Sequence, residues 1–122
     1  VHRNLIDIYD IIDNSTLNDK IKQNAKDIFM EVAKAEAKVH GTSIDKIHFH
    51  EVGAMDAVAD IVGVCLAIYK LAPEQIIASP VHVGYGQIHC AHGILPIPAP
   101  ATAHILQGIP IYGGRIEGER FV

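Results

Sequence analysis

Ile21, Ala25, Ile28, Val32, Ala35 and Val39 recur at alternating steps of four and three residues. That spacing holds apolar side chains on one face of an α-helix for about five turns. No strand or loop accommodates it, so the fold must contain one long helix packed along one side. Lys20, Lys22, Lys26, Asp27, Lys34 and Lys38 fill other positions and form a solvated face. Gly41 supplies the stop. Thr16, followed three residues later by Asp19, approximates a capping box and sets the expected start. Before it, Leu5, Ile8, Tyr9 and Ile12 lie at i, i+3, i+4 and i+7, predicting a short amphipathic helix that ends near Asp13-Asn14.

The period changes after Gly41. Between Ser43 and Val52, the apolar Ile44, Ile47, Phe49 and Val52 alternate irregularly with polar residues. His48 and His50 stand two apart, so an extended backbone projects both to one face. Gly53 lets the chain turn, and Asp56 is placed to cap the next helix, which runs to about Leu71. Asp56, Asp60 and Gly63 share a face of that helix at i, i+4 and i+7, and most of the rest is apolar. The expectation is a buried core helix, in which the Asp60 carboxylate must be paired, liganded or protonated.

The second half is built from shorter pieces. Ile76-Ile77-Ala78-Ser79 and Val81-His82-Val83 read as strands around Pro80, and Gly84-Tyr85-Gly86 reads as the turn of a hairpin to Gln87-Ile88-His89-Cys90. Leu95-Pro96-Ile97-Pro98-Ala99-Pro100 is an ordered extended segment, because proline removes donors and fixes φ. Pro100 suits the first position of a helix over 101–107, with Gly108 as its cap and Ile109 to Tyr112 leaving as a strand. The Gly-rich, charged stretch 113–122 is expected to be a mobile tail.

These elements predict an α/β architecture of about four helices with several short strands. At 122 residues the chain is the size of a single domain, 1–122, or a fragment of a larger one. Its first residues show neither an initiator Met nor a signal-peptide pattern, as expected of a segment from within a longer protein. A net charge of −4, without a run of Lys or Arg, argues against nucleic-acid and anionic-membrane partners. The longest apolar stretch, Ala57 to Ile68, is too short for a membrane span, which needs roughly 20 residues. Two dispersed cysteines, Cys65 and Cys90, do not make a disulfide framework and fit a reducing, cytoplasmic setting.

Histidine is the unusual count, at 8 in the chain. It is the commonest metal ligand, which draws attention to His48-Phe49-His50-Glu51-Val52-Gly53-Ala54-Met55-Asp56. The two imidazoles can ligate one ion, while carboxylates serve as ligands or as acceptors that orient a ligating ring. The plain alternative is one satisfied core histidine and one surface histidine, with Asp56 only a cap. A second group, His89, Cys90 and His92, offers mixed nitrogen and sulfur donors suited to nickel, copper or zinc. It lacks the second ligand pair of a zinc finger.

His48-Phe49-His50-Glu51-Val52-Gly53-Ala54 with Asp56 and Asp60-Ile61-Val62-Gly63, followed by Cys90-Ala91-His92-Gly93-Ile94-Leu95-Pro96-Ile97-Pro98-Ala99-Pro100-Ala101-Thr102, resembles the LarC family. These are the nickel insertion proteins of nickel-pincer nucleotide biosynthesis. The resemblance implies a cytoplasmic, CTP-dependent nickel chelatase, or cyclometallase, of the lyase class. It would insert Ni²⁺ into pyridinium-3,5-bisthiocarboxylic acid mononucleotide with Mn²⁺ or Mg²⁺ assisting the nucleotide step. It also implies an acidic Gly-rich N-terminal segment, a Thr-Pro-Thr-Gly-type motif and a C-terminal domain, none of which is in this chain, so activity is expected to need the remainder of the protein. The donor chemistry then allows a division of labour. His48, His50, His89 and Cys90 are the expected metal ligands, Glu51, Asp56 and Asp60 the catalytic carboxylates, and His92 with Gly93 the contacts to the nucleotide substrate.

Two other readings stay open: a metal-dependent hydrolase whose histidines hold zinc and lower the pKa of a bound water, and a non-enzymatic nickel-binding module. Exposed apolar surface in a partial domain predicts a homo-oligomer.

Overall fold

The computed structural model describes residues 3–50, 52–90 and 93–119. The chain divides into two compact units, 1–75 and 76–122. In the first, β1 (Arg3–Asn4) leads into α1 (Leu5–Asp13), α2 (Asp19–His40), a single 3-10 turn (Ile44–Lys46), β2 (His48–Phe49) and α3 (Met55–Leu71). The second contains β3 (Val81–His82), β4 (Gly84–Tyr85), β5 (Gln87–Cys90), β6 (Gly93–Pro96), α4 (Pro100–Ile105), β7 (Ile111–Tyr112) and β8 (Gly118–Glu119). The described residues thus form the anticipated mixed α/β arrangement, with four helices and short strands.

The helical unit owes its order to capped ends and one apolar seam. Asn4 accepts the Asp7 backbone N–H at 2.8 Å, while the Asp7 carboxylate accepts the Asn4 N–H at 3.1 Å. This reciprocal box satisfies two N–H groups that the first turn of α1 leaves without helical partners. At α2 the cap is Asn18, whose side-chain oxygen accepts the Ile21 N–H at 2.9 Å. The cap therefore lies two residues after the Thr16 expected from sequence. An Asn18→Ala variant is expected to lose about 1 kcal/mol, and Thr16→Ala less than about 0.5 kcal/mol. Urea unfolding of the two variants checks this, and a larger loss at Thr16 would contradict it. Gly41, at φ +64°, closes the helix as expected, with its N–H donating to Ala37 O.

α2 buries Ile21, Ala25 and Ala35 as expected, together with Phe29, Ala33 and Ala37, and all of these but Ala35 recur at steps of four as one seam. Each step of four advances the face by about 40°, so the seam winds round the helix. Ile28 and Val39, assigned to the core by periodicity, fall at an exposed rim. The physical reason is size. α2 packs against both α1 and α3, and alanines permit the close approach that larger β-branched side chains would block. Phe29 fills the remaining space beside Phe49, with ring centroids 6.3 Å apart and planes tilted by 57°.

Two expectations for α3 are overturned. Its N-cap is Ala54 without a side-chain bond; Asp56 is the second helical residue, and its Oδ1 accepts the adjacent Ala57 N–H at 2.9 Å. The helix is not a buried core element either. Only Val58 and Cys65 are buried, and Asp60 is exposed, which removes the reason to expect it paired or protonated. A helix that is apolar on most sides is covered only where it meets a neighbour, and in this unit α2 covers one side. None of the described helices is long and apolar enough to cross a membrane.

In the second unit the strands pair two by two. β3 runs parallel to β7, β4 antiparallel to β8, and β5 antiparallel to β6 with Gln87 opposite Pro96 and Cys90 opposite Gly93. The hairpin therefore lies one step later than the Gly84–Gly86 turn predicted from sequence, and residues 76–79 form no regular strand. Gly86 has φ +101°, a conformation foreign to a strand, so the run from Val81 to Cys90 breaks into pieces that find different partners. Pro96 is tolerated at the end of β6 because a two-stranded ladder consists only of edges. Pro100 opens α4 as expected.

Candidate metal-binding segments

The His48–Asp56 segment is held from beneath by the helical core. β2 pairs antiparallel with β1, placing Asn4 opposite His48 and Arg3 opposite Phe49. Phe49 is buried, while His48 and His50 on either side of it are exposed. Both imidazoles therefore stand on the outward face of an extended segment whose inward face is anchored by an aromatic ring. Gly53 closes the segment tightly. A Cβ there would lie 3.0 Å from Phe49 Cβ and 3.1 Å from its carbonyl oxygen. The Arg3 guanidinium donates to the Gly53 carbonyl and ties the turn to the start of the chain.

Beyond the turn, Asp56 and Asp60 are exposed one helical turn apart on α3. Glu51 lies outside the described residues. Cys65 faces the core, where burial pushes its thiol up, so it keeps its proton at neutral pH and is a poor ligand.

In the second unit, His89 is exposed and Cys90 half-buried on β5, opposite Ile94 and Gly93 of the hairpin. Gly93 has φ +95°, and among the described residues nothing lies within 4 Å of where a Cβ would stand. His92 lies outside the described residues. Among the described residues no group of three or more His, Cys, Asp or Glu is gathered closely enough to hold an ion. The structure brings His48 and His50 to one face, and puts His89 and Cys90 side by side in sequence on a single strand. Among the described residues neither set makes up a complete coordination shell.

One histidine escaped the sequence reading except as a strand residue. His82 on β3 stacks on Tyr112 of β7, with centroids 4.6 Å apart and planes 16° from parallel. Its Nε2 lies 3.1 Å from the Gly113 carbonyl oxygen. A carbonyl only accepts, so this nitrogen carries the proton. The signal available in sequence was Gly113-Gly114. The second glycine leaves room for the ring, since a Cβ at Gly114 would run into His82 Nε2.

The family described as nickel insertion protein matches residues 1–121. The chain belongs to this family. Among curated relatives, the pyridinium-3,5-bisthiocarboxylic acid mononucleotide nickel insertion protein of Desulfitobacterium hafniense is 53% identical over 119 residues, which cover 98% of this chain and 30% of the relative. Proteins of the same name from Staphylococcus epidermidis and Clostridium acetobutylicum are 50% and 55% identical, covering 97% and 94% of this chain. The chain spans about 30% of the length of the curated relatives it matches. No solved structure matches it. Within this nickel insertion family, the two histidine-bearing segments are the parts of the chain best supplied with nitrogen and sulfur donors.

Proposed function

We propose that this chain supplies nickel-handling residues to a protein that inserts Ni²⁺ into pyridinium-3,5-bisthiocarboxylic acid mononucleotide, the substrate in the names of its relatives. The observation that carries the reading is the family match along residues 1–121. The exposed imidazoles of His48 and His50, borderline donors suited to nickel, receive the ion from one side of β2. Within the second unit, His89 and Cys90 form a separate pair of nitrogen and sulfur donors for nickel. His92 and Gly93 serve the nucleotide.

Cyclometallation replaces a ring C–H bond with a C–Ni bond and releases a proton, which needs an acceptor. Asp60 is the exposed carboxylate assigned that role, with Glu51 beside the histidines in sequence. CTP enters with Mn²⁺ or Mg²⁺, hard cations that favour carboxylate oxygen over imidazole. The reaction takes place in the cytoplasm, and the rest of a longer polypeptide completes the site. As a cyclometallase the protein is an enzyme of the lyase class.

Nickel titration of the chain by calorimetry tests the first assignment. His48→Ala/His50→Ala is expected to weaken Ni²⁺ binding at least about tenfold, with the helical signal unchanged, because both side chains are exposed. Unchanged affinity would overturn it. Stoichiometric nickel binding by the complete protein, without CTP-dependent product, would favour a storage module instead.

A further inference from the structure

Gly63 is hard to account for within one copy of the chain. It sits in the middle of the 17-residue α3, where glycine costs roughly 0.5–1 kcal/mol relative to alanine. Among the described residues nothing lies within 4 Å of the position a Cβ would occupy. Neither a left-handed backbone nor a neighbour in the helical unit requires it. It faces away from Val58 and Cys65, the two residues of α3 that enter the core.

The exposed side around it has an ordered charge pattern. Asp56, Gly63 and Lys70 recur every seven residues, the spacing that keeps positions on one stripe of a gently coiled helix pair. Ala59 and Ala67 flank the glycine at four residues either side, and all five positions are exposed. Val64 and Leu71 add apolar surface, exposed by 54% and 78%. About Gly63 the outer charges are antisymmetric, Asp56 seven residues before it and Lys70 seven residues after it, with Asp60 at the edge of the same face.

We propose that α3 is the seam of a homodimer in which two copies of this helix pack antiparallel, with Gly63 at the two-fold axis. A two-fold axis there sets Asp56 of each copy against Lys70 of the other and brings the two glycine backbones together. Helix ends of opposite polarity are also adjacent in this arrangement. A parallel pair would oppose like charges at both ends. Asp56 is thereby taken up in the seam rather than in the nickel chemistry.

Sedimentation equilibrium of the 122-residue chain, without nickel or nucleotide, tests the seam separately from the proposed function. The wild-type chain is expected to show a concentration-dependent dimer. Asp56→Lys or Lys70→Asp alone should weaken it about tenfold, since symmetry places two like-charge contacts in each dimer. Asp56→Lys/Lys70→Asp should restore affinity to within about threefold of wild type, because the exchanged charges again face each other. Gly63→Arg should abolish the dimer while circular dichroism stays unchanged, as the added side chain enters open space in the monomer. A monomer at every concentration, a dimer indifferent to Gly63→Arg, or a double variant no better than the singles would overturn the proposal. The last two results would place the contact on another face or another segment of the polypeptide over α3.

Discussion

Replacing Phe29 with alanine is expected to destabilise the helical unit by about 3–5 kcal/mol. The ring is fully buried and meets Phe49 from the middle of α2. Its neighbours along the buried seam are Ala25 and Ala33. Methyl groups cannot lean into the vacated space, so the cavity persists and its lining loses dispersion contacts. Against a total stability of about 5–15 kcal/mol for an ordinary domain, that loss moves the urea midpoint of the helical signal far enough to measure easily. Ile28→Ala, one residue away at the exposed rim, should cost less than about 1 kcal/mol. Equal losses at the two positions would show that the buried face of α2 is misassigned.

Gly114→Ala is the second large effect, expected at about 2–5 kcal/mol. At φ +73° an alanine pays about 1–2 kcal/mol for the left-handed backbone. Its methyl group would also displace the His82 ring. Losing the hydrogen bond to Gly113 and the stack on Tyr112 adds about 0.5–1.5 kcal/mol each. In a His82→Ala background only the backbone part should remain, so the two substitutions should be strongly non-additive. Thermal unfolding of the four chains in this cycle measures the difference. Equal cost of Gly114→Ala in both backgrounds would mean that the ring is not what the methyl group meets.

The two predictions also mark where sequence reasoning succeeded and where it stopped. The helical half was legible because its order is local. The 3.6-residue period, Gly41 and Pro100 each act through adjacent backbone, and α1, the end of α2 and the start of α4 fall close to where those signals put them. The buried face of α2 was legible only in part: Ile21, Ala25 and Ala35 are buried as expected, whereas Phe29, Ala33 and Ala37 complete it in place of Ile28 and Val39. Periodicity weighs Ile and Val above Ala, whereas close helix packing selects the small residue. α3 was mistaken for a core element because its composition does not reveal how many neighbours surround it.

Strand pairing in the second half was misread for another reason. β3 and β4 find β7 and β8 some thirty residues away, and no short-range pattern encodes that choice. The His48–Gly53 segment was readable to the extent that its chemistry lies in sequence: two imidazoles on one face around an anchored phenylalanine. The Arg3 tie to Gly53 was invisible, since it joins residues fifty positions apart. His82 was missed because its partners, Tyr112, Gly113 and Gly114, belong to the far end of the same unit.

Asn4 gives the histidine segment a long reach. Its backbone lies beside His48 in the ladder, and its side chain holds the first turn of α1. One residue therefore takes part in both structures, and order gained by either favours order in the other. By linkage this coupling is reciprocal: if His48 and His50 bind nickel as proposed, the bound ion would also suppress fraying of α1, and a frayed α1 would lower the affinity for the ion. The amides at the start of the first helix would then serve as a gauge of occupancy, readable by hydrogen exchange more than forty residues upstream of the proposed ligands.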